Sequence, residues 1–375
     1  MDTSSTQPST QIKKAWFGAA ISKANKDSAE LIFNPFPKEV LDVMKPFIEK
    51  ADIKRTQALG AICEATGREK YDEVMGKFLT SSLSKETTIS FETELFPFRE
   101  TLETLLASCC ALPQATDLCF LHKIDGGKDK LMEALCSNEQ HVAFQSIFDS
   151  FVRQVCVPFF ASKFDALEEV YYQGFPCIRV IEPGDFSIGP HADCSYGHHP
   201  LSLNFYLFLT PARDTSALFL ESKVGAEDWH PLDGNFGEVK IFPGGILSHW
   251  TTENKTEFSR VSIDFRIIAG SHFNDIKCGG SLPGGVKDVY RGNTGYYNKC
   301  VLKRQKASGV VNEKSGVQSE SSSVGDGSSV EGAGCWEREG PMTMPDERTG
   351  FPFTIKDWQK YRKKKGKIKE KKKVK

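Results

Sequence analysis

Three side chains in the second half of the chain have the types and the spacing of a metal site. His191 and Asp193 are separated by a single residue, and His249 follows further along the chain. Side chains two apart on a strand point the same way, so His191 and Asp193 can reach one ion from one edge of a sheet. Two imidazoles and one carboxylate occupy one face of an octahedral metal and leave its remaining positions open. The sequence therefore predicts a reactive metal held by these three residues.

This ligand set is typical of non-haem Fe(II) centres, and other histidines compete for a place in it. His230 precedes a proline in a turn-rich stretch and is the alternative to His249 as the second imidazole. His198 and His199 lie too close to His191 along the chain to close such a site, although one of them could line its pocket. The spacing favours His249.

An arginine and a serine follow the predicted ligands. Arg260 lies eleven residues after His249 and Ser262 lies two residues further on, so the two side chains share one face of a strand. A guanidinium beside a hydroxyl suits the distal carboxylate of a keto-diacid, because paired charge-assisted hydrogen bonds fix both its position and its direction. Arg266 lies on the same face and is the competing anchor. We favour Arg260.

Two polar residues in an apolar stretch are candidates for the pocket wall. Asn204 and Tyr206 share a strand face within residues 201–209 and are predicted to hydrogen-bond the cosubstrate or the substrate. The alternative for each is cross-strand packing with one satisfied hydrogen bond. Weaker candidates for the same wall are Gln173, Arg179, Tyr196 and Glu221.

The pattern of apolar residues changes near residue 170. Before it, three-to-four spacing predicts helices over 38–49, 101–107 and 141–160. After it, β-rich segments alternate with Pro-Gly and Asp-Gly turns. The predicted strands are 177–181, 186–188, 201–209, 217–221, 238–242, 246–250 and 260–268. Short strands with this punctuation predict an all-β core with helices (α+β), a jelly-roll or cupin-like double-stranded β-helix buttressed by the N-terminal helices.

The organisation of the whole chain follows from these patterns. Residues 1–11 are predicted to be disordered, 12–169 to form a mainly helical scaffold packed on the core, and 170–305 to form the double-stranded β-helix. Residues 306–345 are predicted to be a disordered linker, and 346–375 a short docking segment followed by a basic tail.

Charge is distributed unevenly. Residues 361–375 carry ten Lys or Arg and one Glu, while the whole chain has a formal net charge of −1, so the rest of the chain is acidic. A solvated tail is the default interpretation, and binding to nucleic acid or to an acidic partner is the alternative. The tail lacks interleaved aromatic residues, so the sequence does not indicate a nucleic-acid-binding protein.

Cysteine usage and hydropathy bear on the compartment. Eleven cysteines with scattered spacing indicate reduced thiols rather than a disulfide framework. The apolar runs are much shorter than the roughly 20 residues of a membrane span, and no secretory signal is evident. We expect a cytoplasmic protein, with organellar import left open by a lysine-bearing N-terminus and nuclear import by the basic tail.

Residues 173–268 resemble the Fe(II)/2-oxoglutarate-dependent dioxygenase superfamily, most closely its branch of streptomycin-biosynthesis-type, small-molecule-tailoring oxygenases. The resemblance covers about a quarter of the chain and is carried by PHADCSYGHHPLSLNFYL, SALFLESKVGAEDWHPL and HWTTENKTEFSRVSIDFR. It implies iron held by His191, Asp193 and His249. It also implies that 2-oxoglutarate chelates the iron while its far carboxylate pairs with Arg260 and Ser262.

The activity that this resemblance implies is oxidation of a small molecule. The cosubstrates would be 2-oxoglutarate and O2, the coproducts succinate and carbon dioxide, and the outcome hydroxylation, desaturation or oxidative ring closure. A halogenase is disfavoured because Asp193 occupies the position that a halide would need. The alternatives are a protein or nucleic-acid hydroxylase of the same superfamily, a cupin-type metalloenzyme that uses no keto acid, and a non-catalytic binding module.

Overall fold

A computed structural model describes residue 36 and residues 38–137, 139–278, 281–282, 286–287, 296–303 and 335–340. The predictions for the N-terminus, for the docking segment and for the basic tail therefore fall outside the described residues. None of the described helices combines the length and the apolar run needed to cross a bilayer.

Helices make up most of the described chain before residue 162. They are α1 Lys38–Thr66, α2 Arg68–Thr80, α3 Phe98–Cys109, α4 Gly127–Ser137, α5 Glu139–Phe151 and α6 Val157–Ala161. The predicted helix over 38–49 continues to Thr66. The one over 141–160 is divided into α5 and α6 by a π-helical turn, Val152–Cys156. A later short helix is α7, Gly270–Asp275.

Strands form a large and a small antiparallel sheet. The strands are β1 Thr87–Ser90, β2 Glu169–Gln173, β3 Cys177–Ile181, β4 Leu203–Phe208, β5 Leu218–Leu220, β6 His230–Leu232, β7 Glu238–Phe242, β8 His249–Thr251, β9 Arg260–Ala269, β12 Tyr297–Lys303 and β13 Cys335–Arg338. The large sheet has the order β1-β7-β4-β9-β2-β12-β13, with β3 also paired to β9, and the small sheet has the order β6-β5-β8. A separate hairpin joins β10 Ser281–Leu282 to β11 Val286–Lys287.

Strand β9 is the spine of the large sheet. It pairs with β4 along one edge, and along the other with β3 over its first half and β2 over its last residues. Every residue of β9 is buried, which means that both of its faces are covered. On one face Phe265 meets Phe148 of α5, with ring centroids 5.0 Å apart, so the helices pack there. On the other face the alternation of the strand places polar residues.

The two sheets face each other across this polar side. One cavity is lined by Tyr206 of β4 and Arg260 of β9 from the large sheet, and by Leu218 of β5 and His249 of β8 from the small one. An antiparallel jelly-roll sandwich with helices on its outer face is the predicted double-stranded β-helix, and the α+β fold class is confirmed.

The structure differs from the predicted elements in several places. Residues 186–188 are not a strand, although Ser187 and Ile188 donate backbone hydrogen bonds to the Thr251 hydroxyl. Strand β13 lies inside the stretch predicted as a disordered linker, and the prediction is wrong there because Trp336 is buried by pairing with β12. Strands β1 and β6 were not predicted. Both are short, and sheet pairing rather than local pattern defines them.

Candidate metal centre

The three predicted ligands lie together and are buried. Among the described residues, His191, Asp193 and His249 are the one group of three whose ligand atoms approach within 4.8 Å of one another. Oδ1 of Asp193 is 3.5 Å from Nε2 of His191 and 3.6 Å from Nε2 of His249. One oxygen and two ring nitrogens therefore face a common point, as a three-residue metal site requires.

Backbone pairing sets the two histidines side by side. His191 and His249 form an antiparallel bridge, in which each backbone N–H donates to the other's carbonyl oxygen at 3.2 and 2.8 Å. The Nδ1 atom of His191 lies 2.9 Å from the Gly189 carbonyl oxygen, and that of His249 lies 3.0 Å from the Leu247 carbonyl oxygen. A carbonyl oxygen can only accept, so the proton is on Nδ1 in both rings and Nε2 presents a lone pair.

Asp193 divides its two oxygens between two tasks. Oδ2 accepts hydrogen bonds from Arg266, whose Nε and Nη2 lie at 3.0 and 2.8 Å, and from Nδ2 of Asn204 at 2.8 Å. Burial acts to raise the pKa of Asp193, but the charge of Arg266 is the largest opposing influence, and the pKa lies well below its usual range. The carboxylate is thus ionised, fixed through Oδ2, and open at Oδ1.

His249 carries no charge at neutral pH. Burial is the main reason that its pKa falls to about 4, and the neighbouring His191 adds to the effect. A neutral imidazole is the form that binds metals, so this ring is ready to ligate without first losing a proton.

Two glycines hold the Asp193 segment against the small sheet. The backbone N–H of Asp193 donates to the Gly244 carbonyl oxygen at 2.9 Å, and that of Cys194 donates to the Gly245 carbonyl oxygen at 3.2 Å. A Cβ atom on Gly244 would lie 2.5 Å from Nδ2 of Asn204, and one on Gly245 would lie 2.5 Å from a backbone oxygen. The Pro-Gly-Gly turn therefore reverses the chain, and its two glycines also let neighbouring residues pack closely against its backbone.

A narrow cavity of about 40 Å³ leads from the metal ligands to Arg260. Arg260 is 1% exposed, and its described hydrogen bond runs from Nη1 to the Ser216 carbonyl oxygen at 3.0 Å. It forms no ion pair within the described part of the chain. Burial lowers the pKa of Arg260, which shows that its charge is poorly compensated.

Other polar atoms at this cavity also lack partners. The Tyr206 hydroxyl, Nε of Arg260 and Oδ1 of Asn204 are buried without a hydrogen bond to any described residue. The hydroxyl of Ser262 is also buried without such a partner, but Ser262 is not among the residues that line the cavity. The Tyr206 ring lies beside Arg260, with the guanidinium carbon 5.9 Å from the ring centroid. Since buried polar groups are usually satisfied, these atoms together mark a place for a polar ligand.

The competing arginine has a different surrounding. Arg266 is held by Asp193, by Asp264 at 3.2 Å and by Oε1 of Gln173 at 3.2 Å, so its charge is already paired. The amide nitrogen of Asn204 likewise donates to Asp193, although the sequence predicted that Asn204 contacts the cosubstrate or the substrate. Both residues orient a metal ligand, a role that the sequence analysis missed.

The weaker candidates are distributed around the site. Arg179 lines the narrow cavity but is paired with Asp264 at 2.7 Å. The Tyr196 ring makes an edge contact with the His191 ring, with centroids 5.3 Å apart. Glu221 lies outside this cavity, in an ion pair with Arg55 of α1.

The alternative histidines do not join the metal group. Nε2 of His230 lies 2.8 Å from Oε2 of Glu86. Nδ1 of His199 accepts from the Leu201 backbone N–H at 3.1 Å, and His198 is a buried ring beside Tyr296, with centroids 5.9 Å apart. His249 is thus the second imidazole that the fold brings to His191.

One residue far away in sequence supports the site from behind. Arg55 donates to Oε1 of Glu221, to Oδ1 of Asp52 at 2.6 Å and to the Ile246 carbonyl oxygen at 3.1 Å. Glu221 in turn accepts from the backbone N–H of Ser248 at 2.7 Å. This buried network ties α1 to the segment that leads into His249. No sequence signal separates Arg55 from any other helical arginine.

Comparison with known proteins gives one relative in sequence. No family model matches the chain. A stretch of 116 residues is 34% identical to the streptomycin biosynthesis protein StrG of Streptomyces griseus. The matched stretch covers 30% of this chain and 55% of that protein. The chain thus spans about half the length of the curated relative that it matches.

Solved structures that match this chain include a non-haem monooxygenase, a prolyl-4-hydroxylase and an iron-bound protein. A ThoJ–nickel complex, a non-haem monooxygenase, is 13% identical over 51% of this chain and 75% of its own, with a TM-score of 0.35. A prolyl-4-hydroxylase of Pseudomonas putida is 14% identical over 52% and 92%, with a TM-score of 0.29. EctD from S. alaskensis with bound Fe is 14% identical over 59% and 83%, with a TM-score of 0.32. Likeness at this level carries no argument about function, which rests here on the site itself.

Proposed function

We propose that this chain is an Fe(II)- and 2-oxoglutarate-dependent oxygenase that hydroxylates a small molecule and releases succinate and carbon dioxide. The observation that carries the proposal is the convergence of two Nε2 atoms and one carboxylate oxygen near a buried arginine, Arg260, that forms no ion pair with a described residue. His191, His249 and Arg260 line one cavity between the two sheets.

The donor set fits a ferrous ion. His191, Asp193 and His249 would hold it through two neutral imidazoles and one ionised carboxylate, and a three-residue face leaves room for further ligands. Iron bound there supplies the activation of O2 that is coupled to oxidative decarboxylation of the keto acid. The protein's own part is to keep Nε2 of both rings unprotonated and Oδ1 of Asp193 open.

The cosubstrate fits the narrow cavity. A slender, unbranched dicarboxylate could reach from the metal to Arg260, whose guanidinium would pair with the far carboxylate. The Tyr206 hydroxyl, which lines the cavity without a hydrogen bond to a described residue, would add a hydrogen bond to the same ligand. Ser262, which the sequence paired with Arg260, does not line the cavity and is left out of this contact. A metalloenzyme without a keto acid would have no use for a buried, unpaired arginine, because such a charge is costly without a partner.

Anaerobic titration of the purified protein with Fe(II) and then 2-oxoglutarate tests the proposal. We expect a visible metal-to-ligand charge-transfer band that requires both additions. In air, the same mixture should release succinate slowly even without a substrate. The Asp193→Ala variant should show neither signal. Normal succinate release by Asp193→Ala would contradict the ligand assignment, and a wild-type protein with no band would contradict the use of the keto acid.

A further inference from the structure

A second cavity lies on the other side of His191. Its volume is about 170 Å³, and it is open between α1 and the segment 189–196. An engineered cavity of ~150 Å³ binds benzene, so this space accepts a body of about that size. His191 lines both this outer cavity and the narrow cavity of Arg260. A molecule held in the outer cavity would therefore lie beside the proposed metal without occupying the place of the cosubstrate.

One face of α1 forms a wall of the outer cavity. Phe47, Lys50, Ala51 and Lys54 follow the i, i+3, i+4, i+7 spacing that aligns side chains along a helix, and all four line the cavity. The next residue, Arg55, is buried in the network with Glu221 and the Ile246 carbonyl oxygen. This face of α1 is therefore held at a fixed position relative to the metal ligands.

The two lysines on this face have no acidic residue three or four positions away on the helix. Positions three and four residues away from Lys50 and Lys54 are Pro, Phe, Ile, Ala, Gln or the other lysine. Neither forms an ion pair within the described part of the chain, and no acidic residue lines the cavity. Like charges four residues apart destabilise a helix slightly, so the pair has no structural benefit. An anion between them would remove the repulsion.

Aromatic surface completes the cavity. Phe47 is 57% exposed and Tyr196 is 44% exposed, although large apolar side chains are usually covered. Both line the outer cavity beside Pro190. A ligand that covered them would need an apolar body as well as a charge.

We propose that the outer cavity binds the substrate, and that the substrate is a small organic anion whose carboxylate or phosphate is held by Lys50 and Lys54 while its apolar body contacts Phe47 and Tyr196. The assignment of the ligand as substrate rests on the proposed function. The recognition of an anion does not, because it needs only the lysines and the cavity.

Fluorine NMR of small probes tests this in two steps. In the first, EDTA-treated protein is titrated with 4-fluorobenzoate, 4-fluorophenyl phosphate and the uncharged 4-fluorobenzyl alcohol. We expect at least one anion to bind more tightly than the alcohol, and the double variant Lys50→Glu/Lys54→Glu to weaken its affinity at least about fivefold. Lys45→Glu, an exposed charge reversal on α1 outside the cavity, is the matched control and should bind like the wild type.

In the second step, Mn(II) is added to the protein with the bound anion. A probe next to His191 should have its fluorine signal broadened by the paramagnetic ion, and the broadening should be lost in Asp193→Ala. Equal binding of the anion by wild type and the double variant, tight binding of the alcohol, or failure of both anions to bind would overturn the proposal. Lysine-dependent anion binding without a charge-transfer band would instead overturn the oxygenase assignment, and with it the role of the anion as substrate.

Discussion

Asp193 has its two carboxylate oxygens in different surroundings. Arg266 and Asn204 saturate Oδ2, so only Oδ1 is available to a metal, and the ligand is expected to bind through one oxygen. Loss of a group that orients a ligand in this way typically weakens metal binding by roughly 10- to 100-fold. Arg266 and Asn204 are therefore positioning residues for the proposed metal.

Arg260 is the residue whose replacement should separate metal binding from cosubstrate binding. A hydrogen bond to a charged group contributes about 1.5–3 kcal/mol, which corresponds to roughly tenfold to hundredfold in affinity. We expect Arg260→Ala to raise the 2-oxoglutarate concentration needed for the charge-transfer band by that factor, with Fe(II) affinity little changed. Arg260→Lys keeps the charge but loses the paired geometry, and should fall between the two. An unchanged requirement in Arg260→Ala would assign the anchor elsewhere.

Replacing Arg266 should affect stability and metal affinity together. Arg266→Met leaves the Asp193 carboxylate buried without its main partner, a loss expected to cost about 3–5 kcal/mol in the free energy of unfolding. Loss of an orienting group should also weaken metal binding by roughly 10- to 100-fold. Urea unfolding of metal-free protein and anaerobic Fe(II) titration measure the two effects.

The control for Arg266 is an exposed ion pair. Lys77→Met removes a pairing with Glu73 on α2 that is exposed to solvent, and should leave the free energy of unfolding essentially unchanged. Similar losses in Lys77→Met and Arg266→Met would show that the buried pairing has no special role.

Alternation along β9 separates packing from chemistry. Val261, Ile263 and Phe265 are on the side that meets the helices, while Arg260 and Arg266 line the cavity between the sheets. One strand can serve both because its side chains point to opposite faces in turn. A shift of one residue in register would exchange the two sets, so the pairing of β9 with β4 is essential to the site.

The turn at Gly244 should be sensitive to a single methyl group. In Gly244→Ala the new Cβ would lie 2.5 Å from Nδ2 of Asn204, so the amide that donates to Asp193 must move. We expect a loss of about 1–3 kcal/mol in stability from overpacking, together with weaker Fe(II) binding. Thermal unfolding and metal titration measure both.

Gly76 on α2 provides the matched substitution for Gly244. A Cβ there meets nothing within 4 Å, so Gly76→Ala should stabilise the helix by about 0.5–1 kcal/mol. Equal behaviour of the two alanine variants would show that the Pro-Gly-Gly turn does not press on the site.

The junction of α1 with the small sheet depends on a buried ion pair. Arg55→Met leaves the buried Glu221 carboxylate without its partner and should cost about 3–5 kcal/mol, whereas Glu221→Leu should cost less because Asp52 still pairs with Arg55. Burial raises the pKa of Glu221, which reflects the cost that Arg55 offsets. The double variant should lose less than the sum of the single losses, because the Glu221 carboxylate that Arg55→Met leaves unpaired is then absent. Strict additivity in urea unfolding would contradict the pairing.

How well the bounds of a strand could be predicted depends on its local sequence and on its partner strands. Residues 177–181 and 238–242 were predicted to the residue as strands, because each is an apolar segment with β-branched residues bounded by turns. Residues 246–250 were predicted as one strand, but β8 begins at His249, since Ile246 and Leu247 close the turn by donating to the Pro243 carbonyl oxygen. Local pattern identifies such segments, and partner strands set their ends.

The molecule as a whole places two openings around one histidine. The narrow cavity between the sheets ends at Arg260, and the outer cavity is bounded by α1, an element more than a hundred residues earlier in the sequence. Cosubstrate and substrate would then approach the metal from different sides. This arrangement suits a reaction in which both must be present together.

Ligand binding should stabilise the entire fold in two distinct steps. A ligand that binds only the folded state at 100 times its dissociation constant adds about 2.7 kcal/mol to stability. We expect Mn(II) to raise the unfolding temperature of EDTA-treated protein, and 2-oxoglutarate to raise it further only when Mn(II) is present. Asp193→Ala should lose both increments, and Arg260→Ala should lose the second alone. A full response to 2-oxoglutarate in Arg260→Ala would contradict the proposed placement of the cosubstrate.

The residue types of the candidate site could be predicted from the amino-acid sequence. A His-x-Asp pair, a later histidine and an arginine with a serine two positions on predicted a metal site with an anchor for an anion, because side-chain alternation on a strand is local. The β-rich fold class was equally legible from periodicity and turn residues. These features depend on neighbours along the chain.

Packing decided which of the two arginines forms ion pairs with described residues. Packing also decided which residues lie in the outer cavity beside the proposed metal. Arg260 and Arg266 share one strand face, and the approach of Asp193 and Asp264 to Arg266 leaves Arg260 without an ion pair among the described residues. Lys50 and Lys54 acquired a place beside His191 only when Arg55 docked α1 against the small sheet. Contacts between residues so distant in sequence are set by burial and charge pairing in the folded chain, and the sequence carries no local sign of them.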